Sequence, residues 1–142
     1  ILDPSQKSNA ARIEMYRAGI DLIKEHPITG VGDQSLKKYS PVSIYRGKEV
    51  RHAHFHQNQI TMTVLWGIPG LIFGVGFLVA AGIKLFKKRR LLTDNCWQKT
   101  WLTAGFGVWV VFNVIGFVDW SFGDAEMSLF FFLVTGIALG KD

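Results

Sequence analysis

The stretch that decides the fold is IPGLIFGVGFLVAAGIKLF, Ile68 to Phe86. It carries no charge before Lys84 and approaches the ~20 apolar residues that a helix needs to cross a bilayer. Two further apolar runs follow, WLTAGFGVWVVFNVIGFV at 101–118 and MSLFFFLVTGIALG at 127–140. The last run is short enough to be a buried core helix instead. A soluble all-helical domain has little polar helix here to cover three such runs, so we predict an all-α, polytopic membrane protein with about three transmembrane helices near 68–86, 101–118 and 127–140.

The basic residues predict the topology of these spans. Five cations lie in the connection between the first two runs: Lys84, Lys87, Lys88, Arg89 and Arg90. Basic connections stay on the cytoplasmic side, so residues 1–58 and the link at 119–126 are expected outside. The net charge of +5 is then a topology signal and predicts no nucleic-acid partner. The single cysteine, Cys96, excludes an internal disulfide framework and a cysteine-based zinc cluster.

The polar N-terminal part, residues 1–58, predicts an external loop that carries an amphipathic helix, and residues 59–142 form the membrane region. Ser8 or Asn9 can cap that helix, and Pro27 ends it because the residue before proline avoids the helical region. Its apolar residues recur at intervals of three and four: Ile13, Tyr16, Ile20 and Ile23. HPITGVGDQS is then a tight turn with Gly30 and Gly32 at positive φ, and the chain to Val50 is expected to be loop.

The step GIPG, Gly67 to Gly70, predicts a break in the first membrane helix. Proline removes a backbone donor and kinks a helix. A broken backbone at membrane depth survives only where it is packed in protein or lines a wet cavity. We therefore expect the helix that bears His56 to lie at an aqueous pocket on the outer face.

Three histidines stand on alternate residues in RHAHFHQ: His52, His54 and His56. On a strand they would share one face, and on a helix His52 and His56 would do so. Three imidazoles can hold zinc, but the nearest acid, Glu49, is isolated and second-shell partners are lacking. The group can also be an inert polar run, or one histidine can be a general base, for which an ordinary pKa of about 6.5 is suitable.

Two motifs resemble the bacterial O-antigen ligase and polymerase superfamily. His56-Gln57, nine residues and then Gly67-Ile68-Pro69-Gly70 is similar to its His-[Asn/Ser/Gln]-x9-Gly-x-x-Gly motif. RIEMYRAGIDLIKEHPITGVG, at 12–32, resembles its Arg-x-x-x-aromatic helix followed by His-Pro-hydrophobic-Thr-Gly-Val-Gly. The resemblance covers over half of the chain, from Arg12 to about Phe86.

This resemblance implies a metal-independent glycosyltransferase without cofactors in the bacterial inner membrane, with residues 1–58 facing the periplasm. The donor would be a glycan linked to undecaprenyl diphosphate, and the acceptor a hydroxyl of lipid A-core or of another glycan. His56 matches the essential histidine, the expected base, and Arg12 matches an arginine that holds the diphosphate. We take His54, Gln57 and Arg51, the neighbours of His56, as candidate substrate-binding residues, and we predict no metal.

The family also has an essential arginine upstream of this stretch. We therefore expect the chain to be the C-terminal portion of such a protein and to be inactive by itself. The acids Asp119 and Asp124 can orient His56 or bind sugar hydroxyls, but ordinary loop acids are at least as well favoured, and neither is placed in the catalytic set. The rival interpretation is a membrane transporter or channel component whose histidines bind a metal or relay protons. Ionisable groups within the spans would favour it, and these spans have almost none.

Overall fold

The fold is that of a computed structural model, which describes residues 7–32, 42–45, 48–51, 54–92 and 97–140. Its elements in chain order are α1 (Lys7–Glu25), β1 (Val42–Tyr45), β2 (Lys48–Arg51), α2 (Asn58–Leu91), α3 (Trp97–Gly116) and α4 (Ala125–Gly140). Helices thus make up most of the described residues, in agreement with the all-α prediction. Contacts divide the chain into two units, Ile1–Ile72 with Val118–Trp120, and Phe73–Phe117 with Ser121–Asp142.

A short hairpin corrects the expectation of loop up to Val50. Strands β1 and β2 pair in antiparallel register, from Val42 opposite Arg51 to Tyr45 opposite Lys48. The sequence signal for it is the β-branched and aromatic run VSIY, followed after two residues, one of them glycine, by KEVR. The run is too short for its alternation to stand out from loop.

Helix α1 half-buries three of the four predicted apolar residues, Ile13, Tyr16 and Ile23, but its most buried side chains are others. The helix begins at Lys7, so Ser8 and Asn9 lie in its first turn and not before it. Met15 and Leu22 are buried, whereas Ile20 is 45% exposed. Gly19 lies so close to the start of α2 that an added Cβ would overlap the Ile60 side chain. The approach of α2 therefore selects the buried face.

The core of the first unit joins α1 to the start of α2. Met15 and Leu22 pack with Phe55, Val64 and Leu65, and partly buried side chains complete the cluster: Ala18, Ile23, Val31, Ile60 and Trp120. Phe55 is fully buried although it lies outside any helix or strand. This cluster fixes the residues that precede α2 against α1.

The predicted helix break is present at Gly67, whose φ of 70° and ψ of −173° are not helical. In an unbroken helix the Val64 carbonyl would accept a hydrogen bond from the Ile68 N–H, and the Leu65 carbonyl would accept one from the N–H of residue 69. Residue 69 is proline and has no N–H. Instead the Ile68 N–H donates to the Pro27 carbonyl (2.7 Å), and the Val64 and Leu65 carbonyls accept from Val31 (2.8 Å) and Gly32 (3.0 Å). The break is therefore packed in protein.

The turn after α1 thus closes the break in α2, and glycine is required where the two backbones meet. Gly30 and Gly32 have φ values of 65° and 73°, as predicted. A Cβ at Gly67 would collide with the Ile28 carbonyl, and one at Gly30 with the Leu65 carbonyl. At least 35 positions separate the segment HPITGVG from GIPG in the sequence. In the fold the two segments form one interlocked structure.

In the second unit the helices pack through two small apolar clusters. Leu78, Phe112 and Phe131 form one, and Leu85, Leu102 and Ala138 form the other. Large apolar side chains such as Phe73 and Leu129 face outward, 81% and 70% exposed. Among the described residues, α2 has the length and apolar composition of a membrane span, and α4 is apolar but shorter. The count of three spans remains a prediction.

Candidate catalytic site around His56

His56 lies in the segment 54–57, just before α2 and not on it, which corrects the expectation that the membrane helix bears this residue. The segment folds back onto the first turn of α2 because it is anchored at two points. The Phe55 N–H donates to Thr61 Oγ1 (3.3 Å), and the Gln57 carbonyl accepts from the Thr61 N–H (3.0 Å). Phe55 and Thr61 are both fully buried. With Phe55 turned into the core, the side chains of His54 and His56 keep 32% and 26% of their surface exposed. Both imidazoles are therefore held in place and accessible.

His56 has an unusual backbone conformation that its neighbours stabilise. Its φ is 49°, which makes it the one non-glycine residue with positive φ in the described part of the chain. For an L-residue this costs about 1–2 kcal/mol. The Tyr16 hydroxyl donates to the His56 carbonyl (3.3 Å), linking it to α1. Strain of this kind is common at functional sites.

Asp119, which lies outside the predicted catalytic set, contacts both histidines. Its Oδ1 lies 3.0 Å from His56 Nδ1 and 3.8 Å from His54 Nε2. The two imidazole rings meet edge to face, with centroids 4.4 Å apart. Asp119 Oδ1 also accepts from the Trp120 N–H (2.8 Å), and Trp120 packs against the core of this unit. Sixty-three positions separate Asp119 from His56, so no sequence spacing reveals the pair.

The surroundings of Asp119 favour its ionised form. Burial raises its pKa, but the hydrogen bonds from the Trp120 N–H and from His56, together with the charges of both imidazoles, lower the pKa further than burial raises it. An ionised carboxylate at Nδ1 accepts a hydrogen bond from the N–H of that nitrogen, so the proton stays on Nδ1 and Nε2 is the basic atom of the ring. This is the arrangement that a histidine base requires.

Arg12 lies on α1 one turn before Tyr16. Residues four apart on a helix share a face, with Cβ atoms about 5–6 Å apart. Since Tyr16 contacts the His56 backbone, the face that carries Arg12 is directed to the same region, and Arg12 is half-buried. Arg17, the comparison residue on the same helix, is exposed.

The remaining predicted site residues divide into two groups. His54 contacts both Asp119 and His56, and Gln57 is half-buried beside them. Arg51 ends β2, but its side chain lies outside the described residues, as does the whole of His52.

Two other polar residues have structural roles. The Asp124 carboxylate caps α4, because Oδ1 accepts from the N–H groups of Glu126 (3.0 Å) and Met127 (3.1 Å). His26 belongs to the turn, where its carbonyl accepts from the Gly30 N–H (3.1 Å). The contacts of Asp124 agree with the expectation of an ordinary loop acid.

The same cluster has the chemistry of a metal site. His54, His56 and Asp119 each offer one ligand atom, and these atoms lie within 4.8 Å of one another. Two imidazoles and a carboxylate are ligand types that bind Zn²⁺. Although Glu49 is isolated in the sequence, Asp119 brings a carboxylate to the histidines from a distant part of the chain. The isolation of Glu49 therefore does not exclude a metal.

Comparison with known proteins agrees with the geometry. The family model described as O-Antigen ligase matches residues 3–75, just over half of the chain. The match includes α1, the turn that closes the helix break, His56 and the break itself. No curated protein matches the chain. Because the family match covers more than half of the chain and includes both sequence motifs, the chain belongs to the O-antigen ligase family.

Proposed function

We propose that the chain transfers a glycan from an undecaprenyl diphosphate carrier to an acceptor hydroxyl, with His56 as the base and Arg12 on the diphosphate. Membership in the family indicates O-antigen ligase- or polymerase-type activity at a membrane. The observation that carries the proposal is the 3.0 Å contact between His56 Nδ1 and Asp119 Oδ1. It supports a base at Nε2 because the carboxylate holds the ring in one tautomer.

The proposed reaction is a single displacement at the anomeric carbon. The acceptor oxygen forms the new bond to that carbon while its proton passes to His56 Nε2. The bond from the anomeric carbon to the diphosphate oxygen breaks, and its electron pair leaves with the diphosphate. The planar Arg12 guanidinium donates paired hydrogen bonds to the charge that develops there. In this scheme Asp119 acts through His56, as a positioning residue.

The neighbours of His56 are the proposed substrate contacts. His54 shares Asp119 with His56, so its imidazole borders the position of the acceptor hydroxyl. Gln57 and Arg51 follow and precede the histidines in the sequence, and both provide hydrogen-bond donors for sugar or phosphate oxygens. The acceptor is a lipid A-core or a glycan, and the site faces the periplasmic side of the inner membrane.

The test is complementation of a strain that lacks surface glycan attachment, with the intact protein carrying single substitutions. His56→Ala is expected to reduce transfer by about 10²–10⁴-fold, the usual contribution of a general base, and Arg12→Ala to abolish detectable glycan. Arg17→Ala and His26→Ala are the matched controls on the same helix and turn, and both should support normal glycan. Wild-type levels of glycan with either His56→Ala or Arg12→Ala would refute the assigned role.

A second arm addresses the metal. Glycan transfer by washed membranes should survive treatment with EDTA, because the proposed chemistry uses no metal ion. Loss of transfer with EDTA and recovery with Zn²⁺ would assign His54, His56 and Asp119 to a metal centre instead. The transporter interpretation gains no support from the family match.

A further inference from the structure

A basic cavity lies where α2 ends and α3 begins, within the second unit and separate from the histidine cluster. Its volume is about 520 Å³, and its lining residues are Arg89, Lys99, Thr100, Thr103 and Ala104. Arg89 Nε donates to Thr103 Oγ1 (2.9 Å), and that hydroxyl donates to the Lys99 carbonyl (2.8 Å). The guanidinium is thus held at the cavity.

The cavity has the charge and donors to hold an anion. From Lys84 to Lys99 the sequence has six cations and one acid, Asp94. Among the described residues, Thr103 engages the Nε atom of Arg89, a contact that leaves both terminal NH₂ groups of the guanidinium able to donate to a ligand. A planar pair of donors of this kind suits a phosphate. Thr100, which follows Lys99, also lines the cavity.

An apolar groove meets this cavity at Ala104, which lines both. The groove has a volume of about 400 Å³ and is lined by Ala104, Gly107, Val108, Val111, Phe112, Met127, Phe130 and Phe131. On α3 the lining residues of the two cavities recur with the period of a helix, so that each has another three or four positions away: Thr100, Thr103, Ala104, Gly107, Val108 and Val111. This spacing places them on one face of the helix, so a polar end and an apolar groove lie along a single stripe.

The length of the stripe matches one leaflet of a bilayer. At 1.5 Å per residue the rise from Thr100 to Val111 is about 16 Å, and half of a hydrocarbon core is about 15 Å. Trp97 and Trp101 stack edge to face at the polar end, with centroids 5.9 Å apart. Tryptophan is enriched at the membrane interface, and its position here agrees with a phosphate at headgroup level.

We propose that this stripe binds one anionic phospholipid, with its phosphate on Arg89 and Lys99 and an acyl chain in the groove that begins at Ala104. Basic pockets between membrane helices are suited to anionic lipid headgroups. A free phosphate would use the cations but not the groove, and a neutral lipid would use the groove but gain little from the cations. The combination identifies the ligand as an anionic phospholipid of the surrounding bilayer.

Native mass spectrometry of the intact purified protein tests the charge requirement, by titration with phosphatidylglycerol or phosphatidylcholine. Phosphatidylglycerol should bind more tightly. Each of Arg89→Gln and Lys99→Gln should weaken it about five-fold, and the double variant about thirty-fold. Lys87→Gln with Arg90→Gln removes the same charge outside the cavity, so its effect should be several-fold smaller. Equal binding of the two lipids, or equal losses in the two double variants, would overturn the proposal.

A second pair of variants tests the groove. Gly107 lines the groove, and a Cβ there meets no atom within 4 Å. Gly107→Leu therefore adds an apolar side chain to the groove and should weaken phosphatidylglycerol binding at least about five-fold if the acyl chain lies there. A Cβ at Gly76 on α2 is equally free of contacts, and Gly76→Leu is the matched control that should leave binding unchanged. Inorganic phosphate should not displace the lipid. Displacement by phosphate, or unchanged binding in Gly107→Leu, would overturn the proposal, and thermal unfolding of each variant verifies that it is folded.

Discussion

The interlock between the turn and the helix break makes Gly67→Ala the most informative substitution for the fold. Gly67 has φ 70° and ψ −173°, a region essentially restricted to glycine, where another residue costs about 1–3 kcal/mol. An added Cβ would also collide with the Ile28 carbonyl. A backbone shift that relieves this collision separates the two segments and breaks the three backbone hydrogen bonds between them. Each of these bonds contributes about 0.5–1.5 kcal/mol to stability.

The expected loss in the free energy of unfolding is therefore roughly 3–7 kcal/mol, a large part of the about 5–15 kcal/mol that stabilises a typical protein. Two other glycines separate the causes. Gly32→Ala introduces strain at φ 73° but no contact, so it should cost about 1–2 kcal/mol. Gly76→Ala lies inside α2 and in open space, so it should stabilise by about 0.5–1 kcal/mol.

Equilibrium unfolding of the intact protein in mixed micelles measures this series, with tryptophan fluorescence as the signal because Trp66 and Trp120 lie in the same unit. From the most to the least stable protein, the predicted order is Gly76→Ala, wild type, Gly32→Ala and Gly67→Ala. If Gly67→Ala is no less stable than Gly32→Ala, the two backbones do not approach closely and the interlock is refuted.

Four further predictions concern Asp119, Tyr16 and the α4 cap. The pKa of Asp119 is lowered, so its carboxylate stabilises the fold above about pH 4, an effect that is lost as the pH falls through the folded pKa. Asp119→Asn should therefore be less stable than wild type in chemical unfolding near neutral pH and converge with it in acid; a constant difference would contradict this. Asp119→Asn should also reduce glycan transfer by about 10–100-fold, the usual cost of removing a histidine's orienting partner at metal sites, while Asp124→Asn, which keeps a capping side chain, leaves transfer normal. Tyr16→Phe removes the donor to the His56 carbonyl and should cost about 0.5–1.5 kcal/mol in the same unfolding assay; no change would indicate that His56 is held without it. Asp124→Ala should destabilise by about 1 kcal/mol through loss of the α4 cap, with Asp124→Asn nearly neutral as its control.

Much of the fold was predictable because its signals are local. The long apolar run in Ile68–Phe86 indicated a membrane helix, proline with glycine indicated its break, and the helix before Pro27 followed from spacing. The buried face of α1 was not predictable in the same way. Tyr16 and Ile20 fit the apolar period, but close packing at Gly19 selected Met15 and Leu22. The pattern identifies a helix, and its partner decides which side is covered.

For the site, the sequence motifs identified His56 and Arg12, which lie on separate segments. Asp119 was one of two acids that could orient His56, but the sequence did not favour it over an ordinary loop acid, because a hydrogen bond across 63 positions depends on tertiary contacts between distant segments. Tertiary contacts also determine the positive φ of His56, since Tyr16 and Phe55 hold that backbone from different elements.

By itself the sequence determined the helical, membrane-suited character of this protein, the position of its helix break and the residues that match the family motifs. These properties follow from hydrophobicity, from the missing proline N–H and from the freedom of glycine, which act over a few neighbouring residues. Only the tertiary structure decided that HPITGVG closes the break, that the Asp119 carboxylate faces His56, and that a basic cavity continues into an apolar groove. Each of these depends on hydrogen bonds and packing between segments that are far apart along the chain.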